Sequence, residues 1–221
     1  MQLINTHLCR QSGIISSQLV ANQKIHIIGA GAVGGWTALS LAKMGFLDIH
    51  VWDMDVVSEE NMAYQFYPFV SIGSKKVEAL AKQLLAYTKT QITTHGRYTG
   101  EKLSGIVISA LDNMETRRMI LESNYENQEI DFLIDPRMGG EYCSIHTADW
   151  ENNDSVDAYK KSLYSDAEAV QERCTEKGTM YTCGLLSGFV CKIVKDMVHK
   201  QPRIKTLQFD IASNSIQIYK E

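Results

Sequence analysis

The chain has 221 residues, 44% hydrophobic and 22% charged, which is the composition of one globular domain and excludes disordered and fibrous classes. A formal net charge of −4 lacks the basic surplus of a protein that grips nucleic acid through its phosphates. The most apolar run near the C-terminus, 183–194, is too short to span a membrane and contains Lys192, and the N-terminus lacks the basic-then-apolar pattern of a signal peptide. The five cysteines are Cys9, Cys143, Cys174, Cys183 and Cys191. An odd number without a leader reads as free thiols in a reducing, cytoplasmic setting.

Taken in chain order, strand-length apolar runs alternate with longer amphipathic stretches, the pattern of a mostly parallel α/β sheet. Lys24–Ile28 reads as the first strand, 33–44 as a helix and Asp48–Trp52 as the second strand. A short helix is predicted over 61–66, and a longer one over 74–87 from the spacing of Val77, Leu80, Ala81, Leu84 and Leu85. A third strand is predicted over 91–94. The run 105–110 is continuously apolar and suits a sheet centre covered on both faces. A helix over 114–122 and a short strand over 132–134 follow. The stretch 140–150 alternates and is predicted to pair antiparallel. Residues 151–177 are polar, lack a clear period and read as a long excursion, partly helical around 166–173. A helix over 182–199 and a hairpin of 204–211 with 215–219 complete the chain. No linker separates two domains.

Gly29-Ala30-Gly31-Ala32-Val33-Gly34 is a GxGxxG sequence placed between the first strand and the first long helix. Glycines allow a tight turn and close approach to phosphates, and free helix N–H groups face an anion. Asp53 follows Gly34 by 19 residues, at the end of the second strand, where a carboxylate can accept hydrogen bonds from ribose hydroxyls. This pattern alone serves NAD, FAD or ATP.

The residues that follow narrow the choice. They are Asp53-Met54-Asp55-Val56-Val57, then Asn61-Met62-Ala63-Tyr64-Gln65, then Gly73-Ser74-Lys75-Lys76, and later Asp112-Asn113 with Arg117. In this order the motifs resemble the ThiF/MoeB/HesA-type family of the ubiquitin-activating superfamily, strongly over about residues 20–125 and weakly beyond. The resemblance implies a Rossmann-like, doubly wound mixed β-sheet. It implies ATP- and Mg²⁺-dependent adenylation of the C-terminal carboxylate of a ubiquitin-like or sulfur-carrier protein ending in glycine. Gly29, Gly31, Ala32, Gly34, Asp53, Asn61, Gln65, Lys76, Asn113 and Arg117 would then hold the nucleotide, with Asp53 on the ribose and Asn61 and Lys76 on the phosphates. Lys76 would act as a point charge and Asp112 would hold Mg²⁺, a hard cation suited to carboxylate oxygen. No general base is required, because a carboxylate is already ionised near neutral pH. By the same resemblance, residues 1–22 form an N-terminal arm, 23–135 a nucleotide-binding half and 136–221 a carrier-binding half with a crossover segment at 151–181. A homodimer is implied, with an acceptor or conjugating protein downstream.

Tyr64 stands where the family carries an arginine, so Lys75 or Arg117 is the expected substitute cation. Some relatives pass the acyl group to a cysteine. Cys174, between Arg173 and Lys177 in the crossover segment, is the first candidate nucleophile, and Cys183, near a helix N-terminus that lowers thiol pKa, is the second. Trp36 and Trp52 read as packing residues, and the six histidines show no close metal-ligand spacing. Arg137 with Gly139-Gly140 is a candidate lining of the acyl-acceptor groove. Three alternatives remain at this stage: a weakly active scaffold paired with an active partner, an NAD-dependent oxidoreductase, and a relative that activates a small-molecule or tRNA-base carboxylate.

Overall fold

The computed structural model describes residues 6–164 and 178–220. Among these, the strands are β1 (Lys24–Ile28), β2 (Asp48–Trp52), β3 (Thr93–His95), β4 (Gly105–Ser109), β5 (Ile130–Gly139), β6 (Tyr142–Asp149), β7 (Ile204–Asp210) and β8 (Ser215–Lys220). The α-helices are α1 (Ser17–Ala21), α2 (Ala32–Met44), α3 (Lys76–Thr88), α4 (Met114–Asn124), α5 (Asn153–Lys161) and α6 (Met180–Val198). The described strands form one mixed sheet in the order β3-β2-β1-β4-β5-β6-β7-β8. It is parallel from β3 to β5 and antiparallel from β5 to β8. This is the doubly wound mixed α/β architecture expected from the alternation of strands and helices.

Side-chain alternation along the strands divides the core into two layers. Ile25 and Ile27 of β1 join Leu41, Leu80, Leu186 and Val190 under α2, α3 and α6. Ile28, Trp52 and Val107 join Ile120, Val156 and Tyr159 under α4 and α5. Helix α6 crosses α2 closely enough for the Ser187 hydroxyl to donate to the Val33 carbonyl at 3.2 Å. Among the described residues, no helix is long and apolar enough to cross a membrane.

Several boundaries differ from the predicted ones for identifiable reasons. The short helix predicted over 61–66 is a single 3-10 turn at Glu59–Asn61. The Asn61 side chain turns back to accept from the Ser58 N–H at 3.0 Å, which closes the turn instead of extending it. Helix α3 starts at Lys76, not at 74, because Val56 and Lys75 form an isolated bridge that keeps the preceding residues extended. Strand β5 runs well beyond the predicted 132–134. Its pairing with β4 ends at Ile134, so Pro136 lies on an edge toward β4 and its missing N–H breaks no bond there. Helix α5 was hidden in a polar stretch. Asn152 caps it by accepting from the Asp154 and Ser155 N–H groups, and Val156 and Tyr159 bury its inner face. The helical stretch predicted around 166–173 lies outside the described residues.

Three histidines distant in sequence meet on the α4 side of β1, β2 and β3. His50 Nδ1 is 3.0 Å from His95 Nε2, and the Trp52 indole donates to His26 Nδ1 at 3.2 Å. Burial, with His50 beside it, pushes His26 from 6.5 down to about 4, and burial with Arg137 does the same to His146. Above pH 6.5 both groups are neutral folded or unfolded, and their contribution to stability is complete. As pH falls below that value, the unfolded chain takes up protons that the folded chain refuses, and stability drops until about pH 4. The urea midpoint is therefore expected to fall between about pH 7.5 and about pH 5, and the fall should be smaller in His26→Gln. A midpoint flat over this interval would contradict the assignment.

Candidate functional site

The site sits at the C-terminal ends of β1, β2 and β4, where the strand order reverses and open α/β sheets leave a crevice. Gly29, with φ +102°, turns the chain out of β1. A Cβ there would lie 2.1 Å from the Ala110 carbonyl oxygen, so only glycine lets the turn meet the end of β4. A Cβ on Gly34 would lie 1.9 Å from the Gly29 oxygen, whereas one on Gly31 would meet nothing within 4 Å. Gly31 thus borders open space at the N-terminus of α2, where Ala32 opens the helix and free N–H groups point outward.

Asp53 holds this turn from below. Its Oδ2 accepts from the Ala30 N–H at 2.7 Å, and its Oδ1 accepts from the Asp55 N–H at 2.8 Å. Asp55 in turn receives the Lys76 ammonium at 2.9 Å. Lys76 is 7% exposed, unusual for a lysine, and its own N–H donates to the Asp55 carbonyl. Tyr67 adds a clamp from above, its phenol donating to the Ala30 carbonyl at 2.5 Å. Burial, with Asp53 and Asp55 nearby, pushes the Tyr67 phenol upward, so it remains a donor. Asn61 is buried, while the Gln65 Oε1 is buried without a hydrogen-bond partner among the described residues. Such an acceptor is costly unless a donor reaches it.

Asp112 is exposed at the end of β4, with one oxygen 3.2 Å from the Asn113 amide nitrogen. Asn113 caps α4 by accepting from the Thr116 N–H at 2.8 Å. An open carboxylate at this place is a suitable hard-oxygen ligand for Mg²⁺ alongside phosphate and water. Arg117 differs from its predicted place. Its guanidinium is buried and held by Asp135 Oδ1 and by the carbonyls of Leu111, Asn113 and Pro136. Burial opposes its charge, but Asp135 more than offsets this and raises its pKa. It supports the Asp112 loop and offers no free cation in place of the arginine absent at Tyr64. Lys75, the residue before Lys76, is exposed, with its ammonium 3.7 Å from Glu78. Tyr64 is half-buried, and its carbonyl accepts from the Trp36 indole.

The thiols are also decided by packing. Cys183 does sit in the first turn of α6, but burial pushes its thiol up to about 11, which overrides any lowering by the helix terminus. Its expected activation is therefore not found. Cys191 lies in the core with its thiol pushed up to about 12, and Cys143 is buried within β6. Cys174 lies outside the described residues. Asp55, Tyr67 and Asp135 carry much of the site's hydrogen bonding yet were not singled out from sequence. Asp55 is the second acid of the Asp-x-Asp pair and was legible there, whereas nothing local marks Tyr67 or Asp135.

The ThiF family matches residues 8–221, and the chain belongs to that family. It is 32% identical over 105 residues to the Nedd8-activating enzyme E1 catalytic subunit of Drosophila melanogaster, an alignment covering 44% of this chain and 23% of that protein. The chain spans about a quarter of the length of the curated relatives it matches. Among solved structures it shares its fold with E. coli MccB at a TM-score of 0.76 and 11% identity, over 99% of this chain and 70% of that one. A second MccB structure, with ATP, has a TM-score of 0.72 and 12% identity, over 92% of this chain and 65% of that one.

Gly34→Ala is expected to lower the Tm by about 5–10 °C, because a backbone carbonyl must move, and Gly31→Ala should leave it unchanged. Equal Tm values for the two would contradict the packing of the turn. Alkylation with iodoacetamide followed by mass spectrometry should label the exposed Cys9 in the native protein, with Cys183 and Cys191 labelled only in denaturant.

Proposed function

We propose that the chain is an ATP- and Mg²⁺-dependent adenylating enzyme acting on the C-terminal carboxylate of a ubiquitin-like or sulfur-carrier protein. The observation that carries this reading is the convergence of the glycine turn, Asp53, Lys76 and Asp112 on one crevice. Membership of the ThiF family and the likeness to a Nedd8-activating subunit support it. The MccB structure with ATP supports ATP as the nucleotide. In the reaction, a carboxylate oxygen attacks the α-phosphorus of ATP, the bond to the β-phosphate breaks, and pyrophosphate leaves with an acyl-adenylate formed.

Each residue then has a role. The turn at Gly29–Gly34 gives the nucleotide backbone N–H groups at the N-terminus of α2. Asp53 exchanges its bond from the Ala30 N–H for ribose hydroxyls. Lys76 leaves Asp55 for the departing phosphates, where a preorganised positive charge counts most. Asn61 and Gln65 border the phosphates with amide groups, and Asn113 keeps the Asp112 loop in place. Asp112 would hold Mg²⁺, which would neutralise phosphate charge and shape the triphosphate. Residues 23–135 form the nucleotide half of this scheme and 136–221 the carrier half, within a dimer in the cytoplasm. Transfer to Cys174 and onward to an acceptor protein is a later step of the same proposal.

Tyr64 favours one other reading, a weakly active scaffold completed by an active partner, since a tyrosine supplies no cation where the family carries an arginine. Pyrophosphate exchange into ATP separates the readings. The isolated chain, supplied with small Gly-Gly-terminated proteins from its own organism, is expected to catalyse exchange. Lys76→Ala and Asp112→Ala should each reduce it by about 10²-fold or more. Absence of exchange together with absence of ATP binding would overturn the proposal, as would NAD binding far tighter than ATP with Mg²⁺.

A further inference from the structure

We infer that Asp135 is a positioning residue that sets the Asp112 carboxylate through Arg117 and couples it to the C-terminal end of α5. The inference rests on the adenylating reading only in the task it gives Asp112. The coupling itself is a matter of geometry.

Asp112 is exposed, so no surrounding side-chain packing fixes its direction. Its orientation is set by the backbone at Leu111 and Asn113, together with the Asn113 amide that donates to Oδ1 at 3.2 Å. Arg117 grips both of these neighbours: Nη2 donates to the Leu111 carbonyl at 2.7 Å and Nη1 to the Asn113 carbonyl at 3.1 Å. The guanidinium is itself held by Asp135, whose Oδ1 accepts from Nε at 2.7 Å. Asp135 is 0% exposed and Arg117 3% exposed. Without this carboxylate the guanidinium would be an unpaired buried charge and would move or draw in water.

The second oxygen of Asp135 faces α5. Oδ2 accepts from Arg137 Nε at 2.9 Å and from the Tyr159 hydroxyl at 3.2 Å. Arg137 then donates through Nη1 to the Ser162 carbonyl at 2.8 Å and through Nη2 to the Ser162 hydroxyl at 2.9 Å. One carboxylate therefore divides its oxygens between two structures. Oδ1 serves the loop that carries Asp112, and Oδ2 serves the last turn of α5. Two guanidinium groups share a single buried negative charge. Losing the Arg137 arm frees the carboxylate to rotate and loosens its grip on Arg117, so the two sides cannot move independently. His146, the register partner of Asp135 across β5 and β6, is held neutral and adds no competing charge.

Such a link is reciprocal: the state of α5 biases Asp112, and a cation on Asp112 biases α5. Helix α5 lies in the 151–181 stretch that the family resemblance implies is a crossover segment. The structure thus provides a route by which events on the carrier side tune readiness for the metal–nucleotide pair.

The test uses Arg137→Ala and the milder Tyr159→Phe, neither of which touches Asp112 or Arg117. Amide hydrogen exchange of residues 111–117 is followed in the nucleotide-free protein, and ATP is titrated with Mg²⁺ and again with EDTA. Exchange in 111–117 should accelerate by about 10-fold in Arg137→Ala, with β1 and β2 unchanged. Affinity for ATP should fall by about 10-fold with Mg²⁺ and stay the same with EDTA. Unchanged exchange in 111–117 in both folded variants overturns the inference. So does a lower Tm with equal losses in Mg²⁺ and EDTA, which marks a merely structural role. If the wild-type chain binds ATP under neither condition, the adenylating reading falls, and the hydrogen-exchange arm alone still decides the coupling.

Discussion

The backbone of Gly29 meets the carbonyl of Ala110 so closely that no side chain fits between them, and the site is arranged around this contact. It joins the end of β1 to the end of β4 at the one place where strand order reverses. The second contact, Gly34 on the Gly29 carbonyl, seats α2 directly on that turn. Backbone so tightly placed has little freedom left, and the N–H groups at the start of α2 are oriented before any ligand arrives. Glycine is required here by volume and by φ, a stricter condition than flexibility.

Carboxylates form the next layer of organisation. Asp53 ties the turn to β2, Asp55 holds Lys76, and Asp135 holds Arg117 and Arg137. Each is a charge-assisted contact, and for the fully buried Asp135 removing one partner leaves the other expensive. The pairing of Lys76 with Asp55 keeps a buried ammonium compensated and near the crevice. The pairing of Arg117 with Asp135 does something different: it converts a residue with the chemistry of a phosphate ligand into a brace for the loop that carries Asp112. Side-chain identity alone does not separate these two fates, because both are basic residues at motif positions.

Much of the fold was legible because the local demands are strong. Lys24–Ile28 and Asp48–Trp52 appear with the predicted limits, since each is a short run rich in β-branched residues that ends at a glycine or an acid. The antiparallel partner of β5 was legible from the alternation after Gly140. The extension of β5 through Pro136 was not, because a proline is compatible with a strand only if that edge is unpaired, and this depends on where β4 stops. Helix α5 was missed for a similar reason. Its inner face is only Ser155, Val156 and Tyr159, too few to register as a period until the α4 layer covers them.

By itself the sequence determined the class of fold, the family, and the positions where the turn, the acids and the lysine stand, because these are set by backbone geometry and by order along the chain. The tertiary structure alone decided what the charged and sulfur-bearing groups can do. Cys183 is at a helix N-terminus, yet it is buried and its thiol is pushed upward. Arg117 is in a nucleotide motif, yet it is enclosed and bound to Asp135. His26, His50 and His95 are far apart in sequence, yet they meet across three strands. The physical reason is common to all three. Protonation, exposure and pairing depend on the sum of surroundings contributed by distant elements, and that sum exists only once the sheet and its helices are assembled.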